Sequence, residues 1–211
     1  MIPLMIDCTN RQVVIFGGGS VGARKATFFA GEAEVIVYSR TFSDAFNDIP
    51  VRKECTILQS LNETDIIGII RDVFLVITAT SDTALNSRIM KLCRKMEILV
   101  NNADGEEGDV IIPSRITGRE YTLAISTGGS SPAVSRFIRE RLQEYLHEEL
   151  PYIDSMIQLQ KRLRRLLKST IPSQDIRSQI IWQALCDTDV QKMLCVDEEA
   201  AFLLVKRRYI V

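Results

Sequence analysis

The chain has 211 residues, is 46% hydrophobic and carries 26 Lys and Arg against 27 Asp and Glu, for a formal charge of −1. That is enough chain to bury a real core, as one large domain or two small ones. No apolar run approaches the ~18 residues of a membrane span, no basic leader with a cleavage-like site opens the chain, and the basic residues are not interleaved with aromatics as a nucleic-acid platform requires. A cytoplasmic protein with no membrane or nucleic-acid partner is therefore expected.

The five cysteines are odd in number, scattered and without a CxxC pair, which argues against a disulfide framework and a zinc site. Mostly buried thiols in a reducing compartment are expected. His147, the sole histidine, sits in a charged helical stretch and is read as solvated or helix-capping. The charge divides unevenly, with residues 1–114 at net −4 and residues 115–211 at net +3, an asymmetry compatible with a polyanionic small molecule.

Apolar, β-branched runs at 13–16, 35–38, 56–58, 73–78 and 98–100 alternate with helical patterns, notably at 21–30 and 82–96, the latter with Ser81 as a candidate N-cap. Alternation of this kind predicts an α/β fold, a Rossmann-like doubly wound parallel sheet, over residues 1–112. Runs at 110–112 and 121–125 flank the turn-like Thr117 and Gly118 and are expected to pair as antiparallel strands. A helix capped by Ser131, with Pro132 at its first position, follows. Its apolar stripe of Val134, Phe137, Ile138, Leu142, Tyr145 and Leu146 needs something to pack against, so 113–150 is read as a small α+β dimerisation segment. Residues 151–211 are helical in pattern, with Pro172 as a break, and form a C-terminal helical domain. The acid-free run Lys161, Arg162, Arg164, Arg165 and Lys168 is either a solvated face or a docking surface for carboxylates.

Gly17, Gly19 and Gly22 form a GxGxxG turn directly after the first predicted strand and directly before the first helix. The spacing suits a dinucleotide: a tight turn at Gly17, backbone approach at Gly19, close helix packing at Gly22, and a pyrophosphate on the free N–H groups of the helix. Where such folds often place an acid for the adenosine ribose, this chain has Ser39, Arg40 and Thr41. Arg40 favours a 2′-phosphate and thus NADP, whereas Ser39 and the backbone equally suit the plain ribose of NAD. Thr80 and Ser81, at the carboxyl edge of the fourth strand, are cofactor contacts or simply a helix cap. Asn101 and Asp104, at the end of the fifth, lie where a nicotinamide is expected, and a partly desolvated Asp104 suits proton abstraction. Ser126, Thr127, Gly128 and Ser130 open onto the helix at Pro132 as an anion pocket or a plain cap, with Arg136 and Arg139 within two turns.

Together, GGGSVGARKA at 17–26, ATSD at 79–82 with Leu85 and Asn86, VNNAD at 100–104, IPS at 112–114 and ISTGGSSP at 125–132 resemble, in order and spacing, the precorrin-2 dehydrogenase family, the oxidation and chelation module of siroheme synthases. The resemblance covers residues 1–150. It implies a homodimer and NAD-dependent oxidation of precorrin-2 to sirohydrochlorin in siroheme or other tetrapyrrole biosynthesis, with NAD preferred over NADP. The family's key aspartate falls on Asp104, and its nucleotide contacts fall on Ser20, Val21, Arg40 and Thr41. Arg115, Arg119, Arg136, Arg139 and the cluster from Lys161 to Lys168 are then candidate partners for the eight carboxylates of the tetrapyrrole. Some members also insert iron, so ferrochelatase activity is a second expectation, although one His and no Cys pair predict no resident metal. The methyltransferase half of fused synthases does not fit in 211 residues. The rival expectation is a non-catalytic NAD-sensing regulatory domain, which needs neither a proton acceptor nor a polyanion cleft.

Overall fold

The computed structural model describes residues 1–103 and 108–210 and divides the chain into two compact units, Met1–Ile112 and Pro113–Val211. In the first unit the strands β1 (Gln12–Phe16), β2 (Glu34–Ser39), β3 (Arg52–Cys55), β4 (Leu75–Thr78) and β5 (Leu99–Asn102) form one sheet in the order 3-2-1-4-5, with every neighbouring pair parallel. The helices α1 (Ser20–Phe29), α2 (Glu63–Ile70) and α3 (Thr83–Lys95) complete the crossovers. A parallel sheet covered on both faces buries both sides of its central strands, which is why β1 reads as an unbroken apolar run. Val13 and Ile15 join Val35, Val37 and Ile77 against Ala23, Ala26 and Phe29 of α1. Val14 and Phe16 point the other way, onto Ile66 and Ile70 of α2 and Leu85, Ile89 and Cys93 of α3.

Three local expectations need correction. The third strand lies at Arg52–Cys55 and not at 56–58; it is a mostly exposed edge strand paired only with β2, so no apolar run marks it, while buried Leu58 opens a short 3-10 turn. Residues 110–112 are not a strand, and Val110 and Ile112 instead pack on the α1 side of the sheet. Asp82, not Ser81, caps α3, accepting from the Leu85 N–H at 3.0 Å. The α2 helix escaped the apolar-run reading, although Asn62 and Asp65 form a reciprocal capping box at its start.

In the second unit β6 (Ser114–Thr117) and β7 (Thr122–Ile125) make an antiparallel hairpin, followed by α4 (Pro132–Glu149). Four further helices, α5 (Ile153–Thr170), α6 (Gln174–Cys186), α7 (Thr188–Leu194) and α8 (Glu198–Tyr209), enclose a core of Met156, Leu159, Leu163, Ala184, Val190, Leu194, Ala201 and Val205. The hairpin is tied to α5 by ion pairs of Glu120 with Lys161 and of Arg119 with Asp154, the latter at 3.9 Å. The thiols also depart from expectation: Cys8 and Cys93 are buried, but Cys55, Cys186 and Cys195 are exposed. Burial pushes the Cys93 thiol up to about 12, which leaves it inert. Among the described residues no helix is long and apolar enough to cross a membrane.

Candidate functional site

The carboxyl ends of β1 and β4 are where the strand order reverses, and in open α/β sheets that switch point is where a ligand crevice forms. Here it is a cavity of about 620 Å³, within the range of small-molecule sites. Three loops line it: 17–21 after β1, 39–43 at the end of β2, and 79–81 after β4, joined by Leu58, Gln59 and Ala103. The backbone knits the loops together, with Gly17 N–H donating to Tyr38 O at 2.9 Å, Ala79 N–H to Phe16 O at 2.8 Å and Ser43 N–H to Gly18 O at 2.8 Å.

Each glycine of the first loop has its own reason. Gly17 sits at φ +123°, and a Cβ there would lie 2.3 Å from Ala79 O. A Cβ on Gly18 would lie 2.1 Å from Thr41 O, and one on Gly22 2.0 Å from Gly17 O, so both permit main-chain contact. Gly19 is different: nothing lies within 4 Å of where its Cβ would be. Its bare backbone faces open space at the mouth of α1, as close approach of a ligand requires.

Gly19 caps α1 without any side-chain hydrogen bond, and the first turn holds no acid. By contrast α2, α3, α4, α6, α7 and α8 are each capped by a side chain of their own. Helix N-termini leave four N–H groups without intrahelical partners, and here none is answered by a capping side chain, a fit for a phosphate. Arg40 is the only charged residue among the described ones that line the cavity, and Ser20, Ser39, Thr41, Ser43, Thr80 and Ser81 supply hydroxyls. The donor set suits an anionic dinucleotide.

Of the predicted cofactor contacts, Gly17, Gly19, Ser20, Val21, Ser39, Arg40, Thr41 and Thr80 line this one cavity. Gly22 packs behind it. Thr80 is held by α3: its Oγ1 donates to Asn86 Oδ1 at 2.6 Å, and Asn86 Nδ2 donates back to Thr80 O at 3.0 Å. Asn101 is buried and does not line the cavity; its Nδ2 donates to Val110 O at 2.7 Å, fastening the end of β5. Asp104 lies outside the described residues, while Ala103, just before it in the chain, lines the cavity. Sequence reasoning missed Gly18, Phe42, Ser43 and Gln59. Gly18 is visible inside the glycine run, whereas Gln59 follows a strand that no apolar run marks.

The residues expected to meet a polyanion are in the second unit, and several already have partners. Arg136 bonds to Glu140 at 2.8 Å, and Arg139 to Glu140 at 3.0 Å and Gln143 at 2.9 Å. Thr127 Oγ1 accepts from Ser131 N–H at 3.0 Å and meets Ser135 Oγ at 3.2 Å, while Ser126 Oγ accepts from Gly128 N–H at 3.1 Å. Gly128 and Gly129 take positive φ, and Ser130 stays exposed at the tip. Arg115 on β6 and Arg119 in the hairpin turn are exposed, Arg119 lying 3.9 Å from Asp154. The basic run of α5 is not free of acids in space, because Lys161 pairs with Glu120, and Arg162 with Glu199 at 2.7 Å.

The NAD_binding_7 family model, described as "Putative NAD(P)-binding", matches residues 4–114. A precorrin-2 dehydrogenase of Methanosarcina barkeri is 39% identical over 188 residues, which is 87% of this chain and 82% of that protein. The chain belongs to the precorrin-2 dehydrogenase family. A siroheme synthase of Sodalis glossinidius is 36% identical over 148 residues, but this chain spans only 31% of its length. Among solved structures, SirC, precorrin-2 dehydrogenase, superposes with a TM-score of 0.76 at 26% identity, covering 98% of this chain and 100% of that one. That superposition over nearly the whole of both chains shows that the two share a fold.

Proposed function

We infer that this chain is a precorrin-2 dehydrogenase that converts precorrin-2 to sirohydrochlorin with NAD, as a step of siroheme biosynthesis in the cytoplasm. The observation that carries this reading is the uncapped α1 N-terminus at the β1/β4 switch point, in a chain of this family. NAD supplies the hydride acceptor. The N–H groups of Ser20 and Val21, with the bare backbone of Gly19, hold its pyrophosphate. Ser39, Arg40 and Thr41 would hold the adenosine ribose, and Thr80, locked by Asn86, would contact the cofactor from the β4 side of the cavity. Asn101 acts at one remove, by fastening the end of β5 on which the reacting side is built.

The oxidation removes two hydrogens from the macrocycle, one as hydride and one as a proton. Asp104 takes the proton. It follows Ala103, a residue of the cavity wall, in the chain, and a carboxylate is the kind of group that serves as a general base. The carboxylates of the tetrapyrrole are met by Arg115, Arg119 and the loop residues Ser126, Thr127, Gly128 and Ser130. Arg136 and Arg139, which share Glu140, add less than their formal charge suggests. A second copy of the chain covers the stripe on α4, where Phe137 is 59% and Tyr145 53% exposed. A contiguous apolar face of that kind marks an interface.

The test is Asp104→Ala. It should bind NAD as the unaltered chain does, yet lose about 100-fold or more in the rate of sirohydrochlorin formation, the usual worth of a general base. The assay is the absorbance change when anaerobic precorrin-2 meets protein and NAD. Unaltered protein that binds NAD but leaves precorrin-2 unoxidised would favour the NAD-sensing module instead.

A further inference from the structure

The basic run on α5 splits into two groups. Lys161 and Arg162 are answered by Glu120 and Glu199. Arg164, Arg165 and Lys168 have no ion-pair partner among the described residues, and of these Arg164 and Lys168, four residues apart, share one face of the helix. Like charges at that spacing repel. The fold then adds a third cation to the pair, since Arg177 of α6 lines the same hollow, of about 210 Å³.

Arg177 does not swing freely. Its Nη1 donates to Ile171 O at 2.7 Å and to Pro172 O at 2.6 Å, which fixes the guanidinium plane and leaves its other donors for a ligand. Gln174 and Ser178 add neutral donors, and Leu167 and Ile181 line the rest, so no acid belongs to the lining. Three cations converging on a concave site without a counter-charge create a focused positive potential. At 210 Å³ the hollow is below the usual size of a drug-sized pocket, so it suits one carboxylate or phosphate group and not a whole macrocycle.

We propose that the hollow between α5 and α6 is a dedicated oxyanion site, gripped by Arg164, Lys168 and the oriented Arg177. The oxyanion is either a carboxylate arm of a tetrapyrrole or free inorganic phosphate, which share the same recognition chemistry. The phosphate case stands apart from the dehydrogenase reading, and the tetrapyrrole case rests on it.

The experiment titrates the full chain at low ionic strength, where surface charge is least screened, first with inorganic phosphate and then with sirohydrochlorin. Calorimetry and the fluorescence of Trp182, the single tryptophan, on α6 beside Ile181, are the readouts. Saturable phosphate binding is expected with Kd on the order of 1 mM. Arg164→Gln with Lys168→Gln should weaken it about tenfold or more, while the charge-matched pair Lys161→Gln with Arg162→Gln should change it less than about twofold. Both pairs keep helix-compatible side chains, and Arg177 is spared because it also holds the turn before α6. If phosphate displaces sirohydrochlorin from the unaltered chain but has no such effect in the Arg164/Lys168 pair, the group bound is a tetrapyrrole arm. If phosphate binds and does not compete, the site serves the free ion. No saturable phosphate binding, or equal weakening by the two charge-matched pairs, overturns the proposal. Failure to oxidise precorrin-2 would sink the dehydrogenase reading and leave the phosphate result standing.

Discussion

The loops at 17–22 and 126–131 both bring glycines onto a helix N-terminus, and they differ in what their own side chains do there. At α4, Ser131 Oγ accepts from Val134 N–H at 3.3 Å, and Thr127 joins Ser131 to Ser135, so the loop closes on itself. At α1, Gly19 has no side chain to offer, and a Cβ there would meet nothing within 4 Å. A glycine-rich loop before a helix therefore leaves the helix N–H groups themselves open to an anion where the capping position is bare. The same composition with a hydroxyl at the cap is first of all a structural joint.

The contrast is sharpest between adjacent glycines. Gly18→Ala forces a Cβ to within 2.1 Å of Thr41 O, a backbone atom, and is expected to destabilise the first unit by about 3 kcal/mol or more, seen as a lowered urea midpoint. Gly19→Ala should leave the Tm within about 2 °C and weaken NAD binding at least about tenfold in calorimetry. Equal stability loss for the two variants would break the comparison. In the second unit, Phe137→Glu on the exposed α4 stripe should break the proposed dimer, raising its dissociation constant about 100-fold by light scattering, with the NAD affinity unchanged.

A smaller effect is expected from the closed loop. Ser131→Ala removes the α4 cap and should cost about 1 kcal/mol of stability without altering the affinity for NAD. The smallest concerns the tie between hairpin and α5. The hydrogen bond from Lys161 holds the Glu120 carboxyl below its ordinary value, so the charged form is favoured by folding. Its contribution is complete above the ordinary glutamate range and fades as pH falls through the depressed value. Lys161→Met should remove that acid-dependent part, so that the urea midpoint of the second unit drops less between pH 7 and pH 4 than in the unaltered chain.

Most of the cofactor crevice was legible because its information is local. Gly17, Gly19, Ser20 and Val21 follow β1 directly, and Ser39, Arg40 and Thr41 follow the apolar run of β2, so a strand-end rule finds them. Gln59 and Ser43 were not legible, because β3 is an exposed edge strand with no hydrophobic run and the loop after β2 is folded back by a single backbone bond to Gly18. The partners of the basic run on α5 were hidden for a different reason: Glu120 and Glu199 are 41 and 37 residues from the cations they neutralise. Counting charge along the chain cannot see that.

By itself the amino-acid sequence determined the alternating elements, the glycine turn, the Ser131 cap with Pro132 at the first helical position, and the order of motifs that marks the family, since each depends on neighbours a few residues away. Only the tertiary structure decided which glycine faces open space and which faces backbone, which arginines are already neutralised, and that Arg177 joins Arg164 and Lys168 around one hollow. The physical reason is that charge compensation and close approach are properties of distance in space, and folding sets those distances between residues that the chain keeps far apart.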